Sequence, residues 1–185
     1  MTLTPEVFVS RYPQLYHVAE SGSWPSIERR GLLSTTALLD LFQASGDKRI
    51  AIESRRRSTS ITICHPEHGL AVVRDQKPLN EAKLRRALVN LEPAEWYAEL
   101  NRRVFFWPTL KQVRSLLQAR PYRDRVHTVI TVDSALLLAR HLEHTELSPI
   151  NSGATLFNPA PRGRGTFVPL LAIPMNGGRS GDSPR

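Results

Sequence analysis

A histidine closes a short apolar run, Gln14-Leu15-Tyr16-His17-Val18. After it come Trp24-Pro25-Ser26-Ile27 and then Gly31-Leu32-Leu33-Ser34-Thr35. A histidine at the end of a short strand, before a loop, a short helix and a glycine stop, places its imidazole at the rim of a sheet. There it can bond a ribose hydroxyl or a phosphate. The other use of such a histidine is a buried ring bonded to backbone.

Three further groups of residues carry chemical potential. Asn101-Arg102-Arg103-Val104-Phe105-Phe106-Trp107-Pro108 sets an aromatic wall beside an arginine. In a strand, alternation sends Arg103, Phe105 and Trp107 to one face and Val104 and Phe106 to the other. Such a wall stacks a planar ring and holds a phosphate, or else it is a core strand. Leu147-Ser148-Pro149-Ile150-Asn151-Ser152-Gly153-Ala154-Thr155 is a loop of small and polar residues whose N–H and hydroxyl groups could face a ligand. Val73-Arg74-Asp75-Gln76-Lys77-Pro78 gathers groups able to bind a base edge or a substrate, or to form a solvated loop.

Other patterns carry less. His65-Pro66-Glu67-His68 brings two histidines close, but proline and the following Gly69 make a turn. A helix is what presents two metal ligands at HExxH spacing on one face, so no metal is expected. His141 and His144 fall at a helix end, where histidine complements the dipole. Cys64 is the one cysteine, which excludes an internal disulfide and a cysteine-based zinc site. It reads as a structural thiol. Neither a G-x-G-x-x-G after a strand nor a phosphate-binding G-x-x-x-x-G-K-[ST] occurs.

The elements that must position these groups follow from caps and periodicity. Thr4-Pro5-Glu6 starts a helix that ends near Arg11, and Ser23-Trp24-Pro25 starts another that Gly31 stops. Ser34 or Thr35 caps a third, and a basic helix follows through Ile50, Ile52 and Arg55-Arg56-Arg57. Residues 59–64 alternate and are β-branched, so they predict a strand, while 71–74 fits either a second strand or a loop. Helices are expected through Leu84, Leu88 and Leu91, from Pro93, over 109–120, and after Asp133. Strands are expected at 104–107, 126–132, 145–147 and 166–173. Helices dominate the first half, and the fold class is α+β, with helices on a small, mostly antiparallel sheet.

At 185 residues the chain predicts a single domain over 1–174 and a glycine-, serine- and arginine-rich disordered tail over 175–185. Charged residues are 23% and the formal net charge is +8, nearly all of it from arginine, since Lys48, Lys77, Lys83 and Lys111 are the only lysines. Arginine's planar fork suits phosphate and carboxylate. No apolar run is long enough for a membrane helix. The first residues lack the basic and apolar regions of a signal peptide, so a cytoplasmic protein is expected.

In this order, Leu15-Tyr16-His17-Val18-Ala19, the helix ending in Gly31-Leu32-Leu33-Ser34, Arg103-Val104-Phe105-Phe106-Trp107 and residues 128–133 resemble the ADP-ribosyltransferase-like superfamily. The opening is similar to that of rifamycin ADP-ribosyltransferases, DNA-targeting ADP-ribosyltransferase toxins and tRNA 2′-phosphotransferases. More closely, residues 8–168 resemble a bacterial domain family of unknown function. The superfamily resemblance implies a bent, split sheet that pinches NAD, which is a substrate. It implies NAD contacts from Tyr16, His17, Ser34, Thr35, Phe106 and Trp107, with His17 on the adenine-side ribose and a ring against the nicotinamide. Catalytic roles are expected for His17, Arg103, Asn151 and Ser152, and a substrate role for Arg74, Asp75 and Gln76, which belong to the closer family resemblance. The superfamily's third motif normally supplies an acid. Residues 148–155 hold none, and Glu146 and Asp133 are the nearest candidates.

Two functions are therefore expected. One is an NAD-using transferase whose acceptor is a nucleic acid, a protein or a small molecule, with 2′-phosphotransferase-like chemistry as a variant. The other is a non-enzymatic nucleic-acid-binding module, with Arg55-Arg56-Arg57 and the arginines of 120–125 as phosphate contacts.

Overall fold

The computed structural model describes residues 3–172, and the tail expected over 175–185 lies outside the described residues. The chain order is α1 (Pro5–Arg11), β1 (Gln14–Glu20), α2 (Trp24–Arg30), α3 (Thr35–Leu41) and α4 (Gly46–Glu53). Then come β2 (Ile61–His65), β3 (Gly69–Val73), α5 (Glu81–Ala87), α6 (Pro93–Asn101) and α7 (Leu110–Leu117). The chain continues through β4 (His127–Asp133), α8 (Ser134–His141), β5 (Glu146–Leu147) and β6 (Val168–Pro169). This is an α+β architecture.

Local chemistry explains most boundaries. Thr4, Ser34, Asn80, Thr109 and Asp133 each accept an amide hydrogen bond at the start of a helix. Gly31 ends α2 at φ +78, a left-handed backbone that side-chain-bearing residues avoid.

Among the described residues the strands form three separate two-stranded antiparallel ladders: β1 with β4, β2 with β3, and β5 with β6. The β1–β4 register runs from Gln14 opposite Asp133 to Glu20 opposite His127. Four apolar clusters hold the elements together. One joins α3 and α4 to the β2–β3 hairpin through Leu39, Phe42, Ile52, Ile63 and Val73. A second centres on Trp96, Tyr97, Leu84 and Phe167. The third packs α1 and α8 against Leu15, and the fourth packs α7 against Tyr16 and Val18.

Two expected strands are corrected. Residues 104–107 form no strand: only Trp107 pairs, exchanging backbone hydrogen bonds of 3.0 and 2.7 Å with Tyr16. The aromatics of this segment go to different clusters, which a regular alternation could not serve. Phe106 joins the α1–α8 cluster, Trp107 joins the α7 cluster, and Phe105 meets Phe167. Pro108 then removes the next donor. Residues 166–172 form only the two-residue β6 between single 3-10 turns, because Pro169 cannot extend a ladder. The basic helix is also shorter than expected. α4 ends at Glu53, and Arg55, Arg56 and Arg57 follow in irregular chain.

Candidate functional site around His17

His17 stands in the middle of β1, not at its end as expected, because pairing with β4 continues through Val18, Ala19 and Glu20; it shares a face with Leu15 and Ala19 and sits opposite Ile130. Tyr16 and Val18 point the other way into the α7 cluster. The half-buried imidazole donates from Nδ1 to the carbonyl of Phe105 at 2.9 Å, and the Phe106 ring stands edge-on at 5.9 Å. Burial lowers the His17 pKa, the Phe105 carbonyl pulls it back up, and the Arg74 charge lowers it again, with a net fall. The ring is therefore neutral at neutral pH. With Nδ1 protonated for the carbonyl, Nε2 carries the lone pair.

The edge of β1 away from β4 is closed by two groups. Trp107 pairs with Tyr16, and the Arg74 guanidinium donates to the carbonyl of Val18 at 2.7 Å. Arg74 also lies 4.9 Å over the ring of Tyr122, and among the described residues its second, buried terminal nitrogen has no partner at hydrogen-bond geometry. The structure thus brings Phe105 and Phe106 to His17, whereas Tyr16 and Trp107 pack together on the opposite, α7-facing side of β1 and Arg74 reaches the strand only at the Val18 carbonyl.

Other expected site residues are occupied elsewhere. Arg103 is held by Glu99 at 2.8 Å and Glu146 at 2.6 Å, and stacks on Phe167 at 4.1 Å. The Ser34 hydroxyl accepts from the Ala37 amide as the cap of α3, and Thr35 is the first residue of that helix, half-buried. Asp75 is buried and accepts from the Tyr122 hydroxyl at 2.7 Å and from Arg125 at 3.0 Å. Gln76 accepts from the Arg57 amide at 3.1 Å. Of the two candidate acids, Glu146 pairs with Arg103 and Asp133 caps α8.

The loop carrying Asn151 and Ser152 is organised by Arg162, which is 3% exposed. Its guanidinium donates to the carbonyls of Ser152 and Ala154, each at 3.0 Å, and of Asn151 at 3.5 Å. Ser152 itself is buried, and Asn151 is exposed. The hydrogen bonds of this loop found among the described residues run to Arg162 and to 78–83, not to His17 or the aromatic segment. Two cavities, of about 640 and 520 Å³, are lined by other residues than His17 and 105–107.

Two expected phosphate contacts need correction. Arg57 is buried, and its guanidinium donates to the carbonyls of Ile52 and Arg74 and to Asn101. Burial pulls its pKa down to about 10. Arg125 bridges the carboxylates of Asp75 and Glu20. Ser60 joins the same network, donating to Glu20 at 3.1 Å and accepting from the Asp75 amide at 3.2 Å. Glu20, Tyr122 and Arg162 have no motif around them, and only their tertiary contacts mark them out. Cys64 is exposed on β2 rather than buried. The rings of His65 and His68 stack at 4.5 Å, and among the described residues no three metal-binding side chains gather. No described helix is long and apolar enough to cross a membrane.

No curated protein and no solved structure matches the chain. A family model does match, over residues 13–184, which is nearly the whole sequence. The chain therefore belongs to DUF7002, a family of unknown function.

Proposed function

We propose that this protein is an ADP-ribosyltransferase-like enzyme that uses NAD as a substrate at the β1 edge. The observation that carries the reading is the bond from His17 to the Phe105 carbonyl, which joins residues 88 positions apart in sequence. It puts the histidine and the aromatic segment of the first two resembling motifs beside each other.

The chemistry follows from the state of each group. Neutral His17, with its lone pair on Nε2, accepts a hydrogen bond from a ribose hydroxyl. The unpartnered nitrogen of Arg74 donates to a phosphate oxygen near it. The ring of Phe106, already edge-on to His17, offers an apolar face to the nicotinamide. In the reaction the bond between the ribose C1′ and the nicotinamide nitrogen breaks, and its electron pair leaves with nicotinamide. An acceptor oxygen or nitrogen forms the new bond to C1′ and gives its proton to water. The acceptor is a nucleic acid, a protein or a small molecule.

The test is nicotinamide release from NAD, measured with DNA, RNA and protein acceptors supplied in turn. Release is expected with at least one of them. His17→Ala should weaken NAD binding or turnover by about 1–3 kcal/mol, the scale of an unmade bond to a buried polar partner. Absence of both NAD binding and nicotinamide release with every acceptor overturns the reading.

A further inference from the structure

The larger cavity, about 640 Å³, lies between the end of α4, the start of α5 and the start of α6. Its volume is in the range of small-ligand pockets. Arg55, Arg56 and Arg85 line it, against one carboxylate, Glu81. Arg85 already neutralises Glu81 at 3.1 Å and reaches Glu92 at 3.4 Å. Arg55 and Arg56 are exposed, and Arg56 makes a single 3.2 Å bond to the Lys77 carbonyl. The lining therefore carries a surplus of positive charge from exposed arginine forks with donors to spare.

A second, independent feature marks the same place. Tyr97, in the wall of the cavity, is 2% exposed, and among the described residues its buried hydroxyl has no partner at hydrogen-bond geometry, although the Glu81 carboxylate is close enough to act on it. A buried hydroxyl without a partner is costly and calls for an explanation. Burial, and then the Glu81 carboxylate, push its pKa up to about 12 against the lowering pull of Arg56 and Arg85. The group is a proton donor at neutral pH. Ser54, Ser58 and Asn80 complete the polar lining.

We infer that this cavity binds a phosphate group, with Arg55 and Arg56 supplying the charge and the Tyr97 hydroxyl donating to a phosphate oxygen. The cavity shares no residue with the His17 site, so the inference stands apart from the NAD reading. The phosphate belongs either to a small nucleotide or to a nucleic acid backbone. Arginine forks and a hydroxyl are the donors of phosphate contact rather than of base readout.

The test uses the full chain and two probes: AMP, and a short fluorescein-labelled single-stranded DNA of mixed sequence. Binding is read by calorimetry for AMP and by anisotropy over a salt series for the DNA. The double variant Arg55→Ser/Arg56→Ser is expected to weaken the bound probe by about tenfold or more and, for DNA, to flatten the salt slope by roughly 1.4, from two lost phosphate contacts. Tyr97→Phe keeps the ring and the fold, so it is expected to raise or preserve the melting temperature of the free protein while weakening the probe several-fold. AMP binding sensitive to both variants assigns a small nucleotide, and DNA binding alone, with the same sensitivity, assigns a backbone. Binding by neither probe, or binding that both variants leave unchanged, overturns the proposal.

Discussion

Arg103, just after α6, and Glu146, at the start of β5, form a two-point ion pair, with Nε 2.6 Å from Oε2 and Nη2 3.3 Å from Oε1. The remaining terminal nitrogen of Arg103 donates to both the carbonyl and the carboxylate of Glu99. The flat guanidinium lies on Phe167. One arginine thus ties α6, β5 and the Trp96–Phe167 core together. Any anion reaching Arg103 must compete with two carboxylates already in place.

Arg103→Ala is expected to destabilise the protein by about 1–3 kcal/mol in urea unfolding, through lost stacking and unpaired carboxylates. Arg103→Lys should recover little, because an ammonium can neither fork nor stack. Glu146→Gln should cost less, about 0.5–1 kcal/mol, since this carboxylate is partly solvated. Full stability in Arg103→Ala would refute the structural role.

His17 gives a pH signature. Its folded-state pKa is lowered, first by burial. The unfolded chain therefore takes up the proton more readily, and stability falls as the pH drops below about 6.5, the unfolded value. His17→Gln should remove this slope in melting curves collected from neutral to mildly acidic pH. An identical acid slope in the variant would show that His17 does not carry it.

Asp75 gives a second signature at lower pH. Burial alone would push its carboxyl up, but bonds from the Tyr122 hydroxyl, the Lys77 amide and Arg125, with the Lys77 charge, hold it below the usual value. The stability from these contacts is fully present above about pH 4, the unfolded value, and is lost as the pH falls through the lower folded value. Asp75→Asn should be about 2–4 kcal/mol less stable than wild type at neutral pH, with Arg125 left short of a partner. The gap between the two proteins should narrow in acid, and a gap that is constant with pH would contradict this linkage.

Gly163 is required by close packing rather than by a turn. A Cβ there would sit 2.8 Å from the backbone carbonyl of Val89, while one at Gly165 meets nothing within 4 Å. Gly163→Ala should cost about 1–3 kcal/mol by forcing the two segments apart, and Gly165→Ala should be close to neutral. Equal melting temperatures for the two variants would show that the Val89 contact yields freely.

Local rules carried much of the fold. Thr4-Pro5-Glu6, Ser34, Asn80, Thr109 and Asp133 act within one turn of themselves, so their helix starts were legible in the sequence. The same holds for β1, β2 and β4, whose β-branched or alternating residues favour extended chain wherever they pack. The aromatic run at 104–107 was not legible. Its conformation depends on which cluster claims each ring, and those partners lie far away in sequence.

The candidate site divides in the same way. Local sequence placed His17 on a strand and showed a chain rich in arginine, but it put the histidine at the strand's end, whereas pairing with β4 carries β1 three residues further, to Glu20. It could not say which arginines are available. Arg55, Arg56 and Arg57 are consecutive, yet two are exposed at a cavity and the third is enclosed by Ile52, Arg74 and Asn101. That is settled by long-range packing, because a guanidinium leaves water only where enough carbonyls and carboxylates converge on it, and that convergence comes from segments the chain brings together after folding.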